Sequence, residues 1–247
     1  MNKIAINGFY GKMGQAIYSQ SKKIPSLVVT VGCDVASKIN AKETSDIKLT
    51  DKLSAVESLF DVVIDFTLPT PSLSTLNQCH EMRKPAVVGT TGFTKEQLEE
   101  IKQLSKNIPI LLAPNMSMGV NVSIESLSYI AGMLKDYEIT IEETHHINKV
   151  DSPSGTALKM ANVIADAANL TLGDIESKDC PIKFISNREN TAIGTHTITF
   201  SSEQDEIVLT HNANTREIFA IGALRTANWI KTQDVGFYNY KDFMDSI

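Results

Sequence analysis

The stretch Lys3-Ile4-Ala5-Ile6-Asn7-Gly8-Phe9-Tyr10-Gly11-Lys12-Met13-Gly14 decides the fold. An apolar run, glycines at every third position and then helical periodicity through about Lys23 read as strand, tight turn and helix. Leu27-Val28-Val29-Thr30-Val31-Gly32-Cys33 follows as a second strand and ends at Asp34. An acid about twenty residues after such a turn is where a dinucleotide-binding unit holds the ribose hydroxyls, and the helix N-terminus is where it holds the pyrophosphate. Gly8, Phe9, Tyr10, Gly11, Lys12, Met13 and Asp34 are therefore candidate cofactor residues. A glycine turn alone also serves loops that bind nothing. Its place after the first strand, at the start of a helix and upstream of the acid, favours the nucleotide. The GxxGxxG spacing, with bulky Phe9 and Tyr10 in the interval, departs from the commonest pattern and predicts a reshaped pyrophosphate contact.

Further along, Val62-Val63-Ile64-Asp65-Phe66, Ala86-Val87-Val88-Gly89 and Ile108-Pro109-Ile110-Leu111-Leu112-Ala113 are short continuous apolar runs, as expected of parallel strands covered on both faces. Helical stretches at 72–83 and 94–106 separate them. The strands lead into Gly89-Thr90-Thr91-Gly92-Phe93 and Ala113-Pro114-Asn115-Met116-Ser117, small and turn-forming, at the edge where open α/β sheets bind ligands. Gly89, Thr90, Thr91, Ala113, Pro114, Asn115 and Met116 thus join the cofactor candidates. After Met116 the pattern changes to a helix at 121–134 and alternating strands at 138–144, 182–187, 195–200 and 206–213. A last long helix, 216–231, is placed to return to the first domain. The expected fold is α/β: a Rossmann-like parallel-sheet domain over 1–116 and 215–247, with an inserted α+β domain over 117–214 and hinges near 117 and 215. No internal repeat or low-complexity segment interrupts it.

Over 247 residues the composition is that of a globular protein, 42% hydrophobic and 21% charged. A net charge of −6 argues against general affinity for nucleic acid or an anionic membrane, so any anion site must be local. Cys33, Cys79 and Cys180 are far apart, which suggests neither a disulfide framework nor a thiolate zinc site and fits a reducing cytosol. The N-terminus runs directly into a strand, and no segment approaches a membrane span, so a cytoplasmic protein is expected.

The segment with the most chemistry is Glu142-Glu143-Thr144-His145-His146-Ile147-Asn148-Lys149-Val150-Asp151-Ser152-Pro153-Ser154-Gly155-Thr156-Ala157-Leu158. It joins a strand to a helix. The helix start offers backbone N–H groups and the positive end of the dipole, Gly155 permits close approach of a carboxylate or phosphate, and Lys149 with two imidazoles adds charge and titratable protons. No metal is expected, because no HExxH spacing is present and adjacent strand residues point to opposite faces. Arg188, His196 and His211 are most simply solvated or structural, the first two also being placed to line a pocket.

GFYGKMG, VVGTTGF, APNMSMGVN, EETHHINKVDSPSGTAL and HNANTREIFAIGALRTANW together make the chain resemble the 4-hydroxy-tetrahydrodipicolinate (dihydrodipicolinate) reductase family of bacterial and plant lysine and diaminopimelate biosynthesis. The resemblance spans nearly the whole chain in order, and HHxxKxDxPSGTA is its most specific part. It implies a homotetramer assembled through the second domain, and reduction by NADH or NADPH of a cyclic unsaturated imine dicarboxylate to tetrahydrodipicolinate. It also implies that His145 and Lys149 supply the proton, while His146, Gly155 and Thr156 hold substrate carboxylates. The chemistry is coherent: hydride adds to the ring carbon remote from nitrogen, and the resulting enamine takes a proton on the neighbouring carbon. Asp34, followed by Val35, favours NADH, because a carboxylate repels a 2′-phosphate; Lys38 nearby keeps NADPH open. Two alternatives are another two-domain amino-acid dehydrogenase and a non-catalytic dinucleotide sensor. The first has no reason to carry HHINKVDSPSGT, and the second lacks a basic patch or helix-turn-helix segment.

Overall fold

Short runs of Val, Ile, Leu and Ala form one parallel sheet in a computed structural model that describes residues 1–39, 47–190 and 192–247. Its strands are β1 (Asn2–Asn7), β2 (Leu27–Cys33), β3 (Lys48–Thr50), β4 (Val62–Asp65), β5 (Ala86–Val88), β6 (Pro109–Leu112) and β11 (Gly236–Tyr238). They lie in the order β11-β6-β5-β4-β1-β2-β3, every ladder parallel. The chain leaves β1 one way through β2 and β3 and the other way through β4, β5, β6 and β11. Strand order therefore reverses beside β1, where open sheets of this kind form a ligand crevice. The helices α1 (Lys12–Ser21), α2 (Ala36–Ile39), α3 (Pro69–Met82), α4 (Lys95–Leu104), α7 (Glu217–Ile230) and α8 (Tyr240–Met244) complete this part.

Burial on both faces explains the continuous apolar runs: Val62, Val63, Ile64, Ala86, Val87 and Val88 are all fully buried. Local chemistry sets the ends of helices. Thr94 and Gln97 form a reciprocal capping box on α4, and Arg83 closes α3 in the left-handed conformation, φ 54°. The last long helix, α7, packs along α1, with Asn228 bonded to Asn2 and Lys231 to Asp61.

Met1–Ser117 and Glu217–Ile247 form one compact unit, and Met118–Arg216 a second. In the second, α5 (Met118–Met133) and α6 (Gly155–Ala168) cover a sheet of β7 (Glu138–His145), β8 (Ile182–Arg188), β9 (Thr195–Ser201) and β10 (Glu206–Asn212). The order is β10-β9-β7-β8, with β7 and β8 parallel and the other neighbours antiparallel. The parallel-sheet domain with a mixed α+β partner agrees with the fold class read from the sequence. The three-residue β3 and β11, the four-residue α2, the 3₁₀ turn Leu53–Leu59 and the short α8 were not anticipated, being too brief to show a period.

Candidate functional site

In the first unit, β1 delivers Gly8 at φ +80°, a conformation that strains any other residue, and a Cβ there would lie 2.7 Å from the Phe66 carbonyl oxygen. A Cβ at Gly14 would strike the backbone of Gly8 and Phe9, so the glycines let the turn fold onto the start of α1. Asp34 closes the turn from the end of β2. Its Oδ2 accepts from the Tyr10 N–H at 2.9 Å, its Oδ1 from the Val35 N–H at 2.9 Å, and Lys38 Nζ lies 3.0 Å from Oδ1. A cleft of about 440 Å³ opens here, lined among others by Gly8, Gly11, Asp34, Lys38, Phe66 and Thr67. These residues fit a dinucleotide: a turn with glycines at 8 and 11 on the cleft wall, a helix N-terminus capped by Gly11 without a side-chain bond, and a carboxylate beside them.

Not every predicted cofactor residue offers its side chain. Phe9 is a core residue, packed edge-on against Tyr18 with ring centroids 5.4 Å apart and filling the space left by Gly32, so only its backbone is available to a ligand. Ala113 and Met116 are likewise buried, and Met116 sits where α7 approaches so closely that only Gly222 fits. Lys12 is exposed and Met13 half-buried on the first turn of α1, while Thr91 and Pro114 are exposed at the ends of their strands. Asn115 turns inward on its own loop, accepting from the Ser117 N–H at 2.9 Å.

Gly89 brings the chain against the Phe66 ring and leads to Thr90, which donates to Asp65 at 2.6 Å. Asp65 is a functional-edge residue the sequence reading passed over. Fully buried at the end of β4, it also accepts from Asn7 Nδ2 at 2.5 Å and from Thr67 Oγ1 at 3.1 Å. It fastens the ends of β1 and β4 and the loop after β5.

The second unit holds the other cluster. Along β7 the face turned to the helices carries Ile139, Ile141, Glu143 and His145, all buried, and the register on β9 sets Phe200, Ile198 and His196 opposite the first three. One sheet face thus passes from apolar to titratable as it nears the loop that starts α6. Glu143 Oε1 accepts from the Ser154 N–H and from Ser186 Oγ, each at 3.0 Å, with Arg188 Nη2 3.5 Å away. Glu143 Oε2 faces His145 Nδ1 at 3.4 Å and His196 Nε2 at 3.7 Å. Burial tends to raise the Glu143 pKa, but hydrogen bonds from Ser154 and Ser186 and the charge of His145 outweigh it and hold the group below the usual carboxylate range. Burial pushes His145 below the ordinary histidine range; Glu143 opposes that shift, and the positive charges of Lys149 and Arg188 add to it. His196, buried beside His145, falls to about 4.

Ser154 is the N-cap of α6, its Oγ accepting from the Ala157 N–H at 3.2 Å and meeting His196 Nε2 at 3.2 Å. Gly155 and Thr156 are the first two helical positions, and a Cβ at Gly155 would meet none of the described residues within 4 Å. In the loop, Lys149 Nζ grips both oxygens of Asp151 at 2.9 and 2.8 Å. That contact, with the Gly155 N–H adding to it, holds the Asp151 carboxyl below its usual range. Arg188 pins the loop to β8 through the Asp151 carbonyl at 2.7 Å. His146, half-buried, follows the strand and accepts the Lys149 N–H at its carbonyl, 3.0 Å. A hollow of about 580 Å³ in this unit, lined by Ser152, Pro153, Lys178, Lys183 and Phe184 among others, includes neither His145, His146 nor Lys149.

The sequence argument against a metal was incomplete. It weighed adjacent strand residues, whereas Glu143 and His145, two apart, share a face, and with His196 offer one ligand atom each within 4.8 Å of one another. Arg188 already supplies a cation at this carboxylate, and Ser154 shares His196 Nε2, so we read the group as a hydrogen-bonding cluster. Glu143, Ser154, Asp151 and Ser186 were missed as site residues; Arg188 and His196 belong to the cluster and are not merely solvated.

A sequence model described as dihydrodipicolinate reductase, N-terminus, matches residues 2–116, and one described as its C-terminus matches 119–244. The 4-hydroxy-tetrahydrodipicolinate reductase of Pseudomonas fluorescens is 36% identical, with 99% of each chain covered. Among solved structures, a dipicolinate-bound dihydrodipicolinate reductase from Paenisporosarcina superposes with a TM-score of 0.84 at 25% identity, covering 97% of both chains. An amine dehydrogenase from Mycobacterium smegmatis, at 9% identity and TM-score 0.65, with 96% of this chain and 94% of its own covered, shares the fold alone. The chain belongs to the dihydrodipicolinate reductase family.

Proposed function

We propose that the chain reduces a dihydrodipicolinate-type cyclic imine dicarboxylate to tetrahydrodipicolinate, with the first unit holding a nicotinamide dinucleotide and the second holding the substrate. The observation that carries this reading is the polar end of β7, where buried Ile139 and Ile141 give way to buried Glu143 and His145 just before the α6 N-terminus. A titratable group beside an anion-binding helix start suits a dicarboxylate that needs a proton.

The nucleotide supplies hydride when bound. Gly8 and Gly11 keep side chains away from its phosphates, with Tyr10, Lys12 and Met13 around them; Asp34 takes the ribose hydroxyls, and Gly89, Thr90, Thr91 and the loop Ala113–Met116 complete the edge. Asp34 favours NADH over NADPH, while Lys38, 3.0 Å from it, offsets part of the carboxylate charge and leaves NADPH usable. Ser154 caps the helix so that the Gly155 and Thr156 amides receive one substrate carboxylate, with His146 beside it. Lys149 orients that anion by charge, and His145 delivers the proton that the enamine takes after hydride arrives.

The resemblance also supports a cytoplasmic homotetramer formed through the second unit, whose β10 exposes Ile207 and Val208. The roles are tested by replacing His145 by Gln and Lys149 by Ala separately. Turnover is expected to fall at least about a hundredfold for His145, within the usual span for a proton-transfer group, with NADH affinity unchanged. A comparable loss of NADH binding would contradict the division of labour.

A further inference from the structure

We propose that Glu143 is a positioning residue for the proton transfer: its buried carboxylate turns the His145 ring so that Nδ1 faces Oε2 and the proton bound for substrate is carried on Nε2. The inference rests on reading His145 as the proton donor, and it concerns how that donor is held.

The two oxygens of Glu143 live differently. Oε1 is taken by the Ser154 N–H and Ser186 Oγ at 3.0 Å each, with Arg188 behind them. Among the described residues Oε2 takes no hydrogen bond, and neither does His145 Nδ1, although both atoms are buried and face each other across 3.4 Å. Two orphaned buried polar atoms in register are costly apart, and a proton on Nδ1 satisfies both at once after a ring movement of a few tenths of an ångström. The residues stand two apart on one strand, so the pairing is built into β7.

The other side of the ring agrees. A Cβ at Gly194 would come within 3.0 Å of His145 Nε2, so glycine lets the chain pass close to the outer nitrogen without pressing a side chain on it. His196, its ring edge-on to His145 with centroids 5.1 Å apart, is kept neutral by burial and shares its Nε2 with Ser154 Oγ, so it adds no second positive charge. In the transfer, the Nε2–H bond breaks, a C–H bond forms at the enamine carbon from the enamine's electron pair, and the imidazole is left neutral with Nδ1–H still facing Glu143. Because Oε1 simultaneously holds the N-cap residue of α6, one carboxylate ties the proton donor to the anion cradle.

Among the described residues, the charged and titratable groups around His145 are Glu143, His196, Lys149, Arg188 and Asp151. Removing the charge of Glu143 leaves Lys149 and Arg188 opposed only by Asp151, so His145 must then take its proton at lower pH. Glu143→Gln keeps size and an acceptor for Ser154 and Ser186. In the full-length enzyme it is expected to lower kcat about 10- to 100-fold, to move the limb of the kcat profile that reports His145 to lower pH, and to leave NADH affinity unchanged. Histidine labelled with ¹³C at Cε1 is expected to show the same downward move in the His145 titration. An unmoved titration with wild-type kcat overturns the proposal. The wild-type protein provides a second measurement that needs no variant to fold: ¹⁵N shifts of His145 above its pKa are expected to show the Nδ1–H tautomer, and an Nε2–H tautomer overturns it. His145→Gln separates the two levels. If that variant turns over normally, the donor reading itself falls; if it is impaired while Glu143→Gln behaves as wild type, only the positioning role falls.

Discussion

Lys149 Nζ holds both carboxylate oxygens of Asp151, at 2.9 and 2.8 Å, two residues along the same loop. Asp151 thereby places an internal carboxylate on the cation that the proposed function gives to the substrate, and at the helix start that would receive it. The pair is partly exposed, so releasing it frees at most about 1 kcal/mol, equivalent to roughly a fivefold change in affinity. Asp151→Asn is expected to lower the KM for the dicarboxylate by about threefold to fivefold with kcat little changed. A raised KM in steady-state assays would show instead that Asp151 orients Lys149 for the substrate.

Under the proposed function, Asp34 and Lys38 would act on the nucleotide preference in opposite senses. Lys38→Ala removes the cation 3.0 Å from the carboxylate and is expected to widen the NADH preference, whereas Asp34→Ala is expected to narrow or reverse it. Paired kcat/KM values for the two cofactors read this directly. An unchanged ratio in both variants would remove this carboxylate from ribose recognition.

Gly8 combines φ +80° with a carbonyl 2.7 Å from where a Cβ would stand. Gly8→Ala is therefore expected to destabilise the protein by about 1–3 kcal/mol and to weaken dinucleotide binding, because the turn must shift to relieve the contact. Urea unfolding and a nucleotide titration on the same preparation would check it; wild-type values in both would mean the turn tolerates a side chain.

Acid should weaken the fold in a window set by histidines. Burial lowers His196 from 6.5 to about 4 and also lowers His145 and His211. The unfolded chain takes up these protons near 6.5 while the folded chain still refuses them, so stability is fully present above that pH and falls as pH drops towards 4. His196 alone accounts for a change on the order of 3 kcal/mol. The urea midpoint is expected to fall steadily over this window and to do so less in His196→Asn; a midpoint independent of pH would refute the assignment.

Much of the fold was legible because its elements carry strong periods. The buried runs of β4, β5 and β6 announced a parallel sheet, and β7 announced its alternation. The sequence pointed to 142–158 as the candidate site but not to its wiring, because Ser186, Arg188 and His196 reach Glu143 only through the register of β8 and β9. A buried carboxylate and an exposed one look alike in a sequence until the pairing of strands is known. The placement of the Phe9 ring was hidden for a related reason: its position in the glycine turn pointed to the ligand, while the gap left by Gly32 one strand away draws the ring into the core and leaves the backbone at the turn. Asp65 went unread because a strand-ending acid says nothing about the Asn7, Thr67 and Thr90 groups that converge on it.

The most direct test of the central claim is reduced-cofactor consumption on addition of freshly generated dihydrodipicolinate precursor to the purified protein. The expected result is stoichiometric oxidation of one NADH per ring reduced. Intact NADH binding with no turnover would contradict it and make the chain a nucleotide-binding protein without this activity.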